Sequence, residues 1–444
     1  MLQQQERSLL QGPALVAVVK QKMKEIYAPK GFADSFPGLQ RMPDTQLTML
    51  TLENPSTQAL RKLLPEFEHR SGIRIKLIGV PYDDLLAQLN LIGPHFTYDM
   101  IRIDVAQFGD IGQSIYRPLD ELSISPEGLS LRLIKNGYDS YSMLNGRVYA
   151  LPLDPSVQIF LYRTDLFHDA KLCRAYYERF HENLVVPTTY QQYLHAAEFF
   201  TRSCNPDSPT EYGTTMTCGS ASVAASDFLP FYLSRIDRFG STPETLRLDS
   251  PEMQAAMRQY HALEKFSCKQ NWWGDSIQKF AEGKTAMTVI YSNYAAELIN
   301  SGNSVVVGRV GAAILPGCKP LLGGGIVGIS RYSQKAEACK QFFHWYYSAD
   351  VASLLVRLGG TSPIVDAYED FQNYSIFPWM NTSKKSFGLG QRGVINQTPE
   401  RFSIPKYEFA VGTAVRNVVQ DLMTPADASR MAQALYDAAD PVCR

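Results

Sequence analysis

The sequence predicts an α/β protein of two lobes, each a mainly parallel sheet flanked by helices, and three observations carry that prediction. The chain has 444 residues, too long for one ordinary core. Residues 46–103 read strand, helix, strand, helix, strand, a spacing that makes a parallel sheet with right-handed crossovers. Residues 280–363 run in a second distinctive order. There, FAEGKTAMTVIYSNY gives a helix end, a Gly turn and a short apolar strand. VVVGRVGAAILPGCKPLLGGGIVGIS gives a strand running to a Pro, a Gly cluster and another strand. QKAEACKQFFHWYYSADVASLLVRLGGTSPI gives an amphipathic helix closing on Gly-Gly.

The elements follow in order. Residues 1–45 look separate. A helix is expected over Pro13–Tyr27, then repeated breaks at Pro29, Gly31, Pro37, Gly38 and Pro43. Gln46–Leu52 alternates as a strand. Cap-type residues Glu53 to Ser56 open a helix whose apolar positions Leu60, Leu63, Leu64 and Phe67 share one face, with Pro65 expected to kink or restart it. Ser71-Gly72 ends it. Ile73–Val80 is the second strand, Tyr82–Leu91 a helix, and Tyr98–Ile103 the third strand, led by Asp99. The tail, Val415–Ala439, is helical and amphipathic.

Composition excludes several classes. Lys/Arg (43) and Asp/Glu (44) balance to a net charge of −1 without a basic stripe, so a nucleic-acid groove is not expected through residues 46–444. No apolar run reaches the ~18–20 residues needed to span a bilayer. Ala14–Val19 is followed, not preceded, by Lys20, Lys22 and Lys24, the wrong order for a secretory leader. The seven cysteines are Cys173, Cys204, Cys218, Cys268, Cys318, Cys339 and Cys443. They are odd in number and none is spaced Cys-x-x-Cys, so metal knuckles and thioredoxin chemistry fail. Buried free thiols are expected, with a single Cys204–Cys218 disulfide left open. That usage leans towards a reducing compartment.

Catalytic templates fail too. Gly323 to Gly328 fits G-x-G-x-x-G on paper, but a Pro-containing loop precedes it and a β-type run follows, so no helix start is there to hold a pyrophosphate. Gly283-Lys284-Thr285 ends like a phosphate loop, yet Gln278 stands where the first Gly must be, and Lys284 reads as solvated. Neither His-Glu-x-x-His nor Gly-x-Ser-x-Gly occurs, and His344 reads as helix packing. No catalytic residue, cofactor or metal is expected.

Several motifs stand in one order over residues 46–440. They are Tyr116-Arg117-Pro118-Leu119-Asp120, Asn145 to Pro152 (NGRVYALP), Phe160 to Phe167 (FLYRTDLF) and Pro187-Thr188-Thr189-Tyr190. Together with the opening β-α-β-α-β order and the 280–363 segment, they resemble the sugar-type extracellular solute-binding proteins of ABC transporters, the maltodextrin-binding-protein family. The resemblance implies the type II periplasmic-binding fold with a multi-stranded hinge. Lobe one is expected over 46–152 and 303–359, lobe two over 153–302 and 360–444, with hinges near Pro152, Gly302 and Gly359-Gly360. It implies a monomer that binds a mono- or oligosaccharide between the lobes and delivers it to the importer's permease subunits. The expected location is extracytoplasmic, as a periplasmic or surface lipoprotein whose leader lies outside this chain. The alternative is the ligand-sensing module of a cytoplasmic transcriptional regulator on the same fold.

Candidate ligand-binding residues come from strand ends, where open α/β sheets hold ligands, and from aromatic rings that suit sugar faces. Strand one ends in Glu53 and Asn54, for which helix capping is the competing reading. Strand three gives Asp104 and Gln107, and the crossing after Pro152 gives Asp154, Ser156 and Gln158. Ser292, Asn293 and Tyr294 follow the Thr288–Tyr291 strand, and Asn293 and Tyr294 match the family's cleft position. Gly324 and Gly325 allow close backbone approach. Trp273, in the Trp272-Trp273 pair, and Trp379 are stacking candidates against lobe packing. Tyr407 and Glu408 fall in the segment that the family places at the cleft ahead of its last helices.

Overall fold

The structure, a computed structural model, describes residues 39–122, 132–236, 247–300, 302–392 and 403–438. The expected Pro13–Tyr27 helix and Cys443 lie outside the described residues. Among the described residues the strands are β1 (Thr45–Leu52), β2 (Ile73–Val80), β3 (Met100–Asp104), β4 (Met143–Leu144), β5 (Arg147–Val148), β6 (Leu151–Arg163), β7 (Thr214–Thr217), β8 (Ser267–Gln270), β9 (Met287–Tyr291), β10 (Val310–Ala313) and β11 (Leu322–Ile329).

The chain forms two compact units. Unit one takes the residues up to Val157 and Leu322–Gly388; unit two takes Gln158–Leu321 and Leu389–Arg444. The expected boundaries fall elsewhere. Residues 303–321 belong with unit two because β10 pairs antiparallel with the second half of β6, Val310 opposite Arg163 and Ala313 opposite Phe160. Residues 360–388 belong with unit one, where Leu133 bridges Ile364 and Asn136 donates from Nδ2 to the Phe387 carbonyl at 2.8 Å. The chain passes between the units after Val157, Leu321 and Gly388, instead of at Pro152, Gly302 and Gly359-Gly360.

In unit one the sheet runs β6-β11-β3-β1-β2. β1 is parallel to β2 and β3, and β11 is antiparallel to β3 and to the first half of β6. β3 is buried along its whole length, as a strand covered on both faces must be. The helix after β1 spans Pro55–Ser71 and starts with Pro at its first position. It ends on Gly72, whose φ of 73° closes the last turn through a bond from its N–H to the Glu68 carbonyl. It runs on through Pro65 with neither restart nor break. Its Phe67 packs on Trp345, with ring centres 5.1 Å apart. The amphipathic helix expected to close on Gly359-Gly360 is two, Ala336–Tyr346 and Ala349–Arg357. His344 points to solvent, while its neighbours Phe343 and Trp345 are buried. Asn145 and Gly146, both at positive φ, make the β4–β5 hairpin turn.

In unit two the second half of β6 pairs antiparallel with β9 and β10, and β7 is parallel to β8. Its helices include Tyr190–Phe199, Ala221–Leu233, Pro251–Glu264, Trp273–Ala281, Ile404–Val419 and Pro425–Asp437. The single amphipathic tail is thus two helices. Ala221–Leu233 and Ile404–Val419 touch at Gly412, where an added Cβ would meet the Ala221 carbonyl oxygen at 1.7 Å. Cys204 and Cys218 are free thiols, as are Cys173, Cys268, Cys318 and Cys339, which closes the disulfide left open above. Lys284 is half exposed beside Glu282.

Candidate functional site

Unit one gathers several of the expected residues around one that sequence reading passed over. Arg102 lies inside β3 and is 1% exposed. A guanidinium cannot stay there unpaired, and Asp154 on β6 faces it. Arg102 donates from Nε to Oδ1 and from Nη2 to Oδ2 of Asp154, both at 3.1 Å. Burial pulls the Arg102 pKa down, but the charges of Asp154 and Asp104 outweigh it and hold the group above its ordinary value. Asn54 supplies a third bond to the carboxylate, from Nδ2 to Oδ2 at 2.6 Å. Its side-chain oxygen meanwhile caps the Pro55–Ser71 helix by accepting from the Thr57 N–H at 2.9 Å. Asn54 therefore both caps the helix and fastens the end of β1 to β6.

The glycines follow from the same pair. A Cβ on Gly325 would sit 1.9 Å from Arg102 Nε and 2.5 Å from Asp154 Oδ1. Gly324 holds φ at +83°, and a Cβ there would meet the Asp154 carbonyl oxygen at 2.1 Å. A register shift follows Gly325. The Gly run lies inside β11, where the strand needs room to pass the buried ion pair. Ser156 is buried opposite Gly323, and the Tyr141 hydroxyl donates to the Gly323 carbonyl at 2.7 Å.

Beyond this frame lie the ends of β3 and β1, the first buried and the second open. Asp104 ends β3 and caps the short turn after it, accepting from the Ala106 N–H at 2.9 Å, with Gln107 reaching back to the Asp104 N–H. Glu53 ends β1, its side chain 38% exposed and bonded to both terminal nitrogens of Arg61. The Arg61 hydrogen bond holds the Glu53 carboxyl below its usual range. Trp379 is buried at the start of the Met380–Phe387 helix, tilted against Phe377 at 5.4 Å.

Unit two has its own cluster at the carboxyl end of β9. Ser292, Asn293 and Tyr294 form a single turn there. Trp272, half buried, donates from its indole N–H to the Tyr294 hydroxyl at 2.9 Å. Trp273 is buried edge-on against Tyr291 at 5.1 Å. Of the tryptophan pair, the one that keeps an accessible face is therefore Trp272. Arg392 donates to the Tyr291 hydroxyl at 2.9 Å and pairs with Glu408 at 3.1 Å, all of it buried. Tyr407 and Glu408 do not precede the last helices; both sit in the first turns of Ile404–Val419. Tyr407 faces Tyr436 there, ring centres 6.4 Å apart. Gln158 is buried and spends its amide on the Ser226 carbonyl and the Leu321 N–H.

Sequence reading missed Arg102, Tyr291 and Arg392. The signal for Arg102 was present, since an Arg inside the apolar run Met100–Ile103 implies a buried partner. Arg392 carried no such signal.

These side chains offer carboxylates, amides, guanidinium groups and aromatic edges without a nucleophile–base pair, and among the described residues no His, Cys, Asp and Glu group is arranged to hold a metal. The family model described as "Bacterial extracellular solute-binding protein" matches residues 62–379, more than half of the chain. A solute-binding protein of Agrobacterium radiobacter K84, solved with ribitol, superposes with a TM-score of 0.76 at 21% identity, covering 89% of this chain and 98% of its own. One from Agrobacterium vitis S4 with D-mannitol gives 0.70 at 20% identity over 88% and 97%. Maltose-bound T. maritima MalE3 gives 0.71 at 19% identity over 88% and 99%. The fold is therefore that of the two-lobed solute-binding proteins, and the chain belongs to the bacterial extracellular solute-binding protein family.

Proposed function

We propose that this chain binds a sugar or polyol outside the cytoplasm and delivers it to the membrane subunits of an ABC importer. One observation supports the ligand class most. Three similar structures carry ribitol, D-mannitol or maltose, and this chain sets polar groups and aromatic rings at its own strand ends. Hydroxyls both donate and accept, so they suit carboxylates and amides, while sugar C–H faces suit rings. The residues proposed to meet the ligand are Glu53, Asp104 and Gln107 in unit one and Trp272, Asn293 and Tyr294 in unit two. Asn54, Asp154, Gly324 and Gly325 are proposed to hold the frame behind them. Family membership favours this reading over a cytoplasmic regulator module. Among the described residues no helix is long and apolar enough to cross a membrane.

Thermal-shift measurements with ribitol, D-mannitol, maltose and other sugars test the reading. A ligand at 100-fold excess over its Kd stabilises by ~2.7 kcal/mol, so the true ligand raises Tm by several degrees. A flat response to every sugar and polyol would overturn the ligand class.

A further inference from the structure

The sheet of unit one ends on β2, eight residues long, with no strand on its outer side among the described residues. Its parallel ladder to β1 uses the backbone groups of every second residue. The Val80 carbonyl accepts from the Glu53 N–H at 2.9 Å, just past the end of β1. Val80, Ile78, Lys76 and Arg74 therefore turn their backbone groups towards β1, while Ile73, Ile75, Leu77 and Gly79 turn theirs outward. The Ile73 N–H accordingly leaves the ladder and meets the Ser71 hydroxyl at 3.0 Å. The outward N–H and C=O groups of Ile75, Leu77 and Gly79 are bonded to nothing among the described residues. A row of open donors and acceptors at strand spacing is a template for another strand.

The side chains along this edge select the strand. Successive side chains alternate between the faces of a strand, so Arg74 and Lys76 share one face, and both are exposed. Arg74 reaches Glu68 at 2.9 Å with its side chain 69% exposed. Lys76 meets no acid among the described residues. Ile78, next on that face, is half buried. A second copy of this chain fits poorly. Two-fold antiparallel pairing of β2 with itself has three central registers. Ile75 opposite Leu77 sets Lys76 against Lys76 of the second copy. Ile75 opposite Ile75 sets Arg74 against Lys76. Ile75 opposite Gly79 leaves the two Lys76 side chains as diagonal neighbours. Like charges so placed oppose pairing. Carboxylates on an incoming strand meet both cations instead, and an apolar residue between strand and sheet suits Ile78.

We propose that the outer edge of β2 is a docking site for an extended, acidic segment of a partner protein, which adds to the unit-one sheet as a further strand. Backbone bonds to Ile75, Leu77 and Gly79 hold the segment, and Arg74 and Lys76 select its charge. The proposal stands independently of the sugar reading.

The test follows backbone amides by NMR on the full chain, with a blocked octapeptide alternating Val and Glu as the probe and its Val–Lys counterpart as the control. The acidic peptide is expected to shift the Ile75, Leu77 and Gly79 amides saturably and to slow their hydrogen exchange. The amides of Arg74, Lys76 and Ile78, already turned to β1, should change little. Leu77→Pro deletes one outward donor without touching the β1 ladder and should weaken the peptide about tenfold or more. Lys76→Glu should weaken it several-fold and favour the basic peptide; it serves alone if Leu77→Pro melts early. Thermal responses to D-mannitol and maltose should stay as in the parent in both variants. Absence of saturable shifts at the three amides, an equal response to the basic peptide, or an unchanged response in Lys76→Glu would each overturn the assignment. So would light scattering that finds a dimer in which the same three amides are protected without peptide, since the edge then belongs to a second copy. A failure of the sugar reading shows in the thermal responses and leaves the peptide signals unaffected.

Discussion

Replacing Asp227 by Asn should stabilise unit two at and above neutral pH, with no gain in acid. Asp227 sits in the Ala221–Leu233 helix beside a void of about 10 Å³ walled by Tyr190, Tyr193, Phe231, Tyr260 and Val289. Burial pushes its pKa from 3.8 up to about 7, against the pull of hydrogen bonds from the Tyr260 hydroxyl and the Thr217 N–H. Both donors, at 2.6 and 3.1 Å, fall on the same oxygen, Oδ2. Asn can therefore keep both through its carbonyl and imitate the protonated acid. In the unfolded chain the group ionises near its ordinary value; in the folded chain it stays neutral about three units longer. Folding thus binds a proton between those values, and stability falls as pH rises from about 4 to about 7. At ~1.36 kcal/mol per unit the ceiling is roughly 4 kcal/mol. Chemical denaturation from pH 4 to 8 reads it. The parent should lose stability across that window and Asp227→Asn should lose much less. An Asn variant less stable at every pH, or one with the parent's pH dependence, would refute the burial argument.

Other outcomes follow from the same contacts. Asp154→Ala leaves Arg102 buried and unpaired, so denaturant melts should show a loss of ~3–5 kcal/mol, reduced when Arg102 is also replaced by Met. Gly325→Ala forces a methyl into the Arg102–Asp154 pair and should cost ~1–3 kcal/mol or more. Trp272→Ala should weaken sugar binding several-fold, about 1 kcal/mol by calorimetry, with little change in Tm. Glu53→Gln breaks only a surface ion pair, worth ~0–1 kcal/mol, so any larger loss of affinity reports a ligand contact.

Local patterns were legible in the sequence. Alternation in Gln46–Leu52, the Asn54-Pro55 helix start and Gly72 each act within a few residues, and β1, the helix and β2 fall within a residue or two of where they were expected. Long-range pairing was not legible. Residues 303–321 read as part of the first lobe until β10 is seen against β6. The site was legible in part. The Gly run at 323–325 signals a close approach, but only Arg102 behind it says what approaches. Asn54 and Asp154 attract notice as strand-end polar residues, yet both are engaged inside a buried network. Trp272 and Trp273 are indistinguishable as neighbours, but Trp272 stands extended ahead of the Trp273–Ala281 helix and stays half buried, while Trp273 opens the helix and is buried. Arg392 follows a Gln in a stretch with no periodicity, so its pairing with Glu408 had no local cue.

Isothermal titration of the full chain with ribitol, D-mannitol and maltose tests the central claim most directly. The account predicts saturable binding of at least one of these or of a related sugar, weakened by Trp272→Ala. Binding of none of them, or equal binding by the variant and the parent, would contradict it.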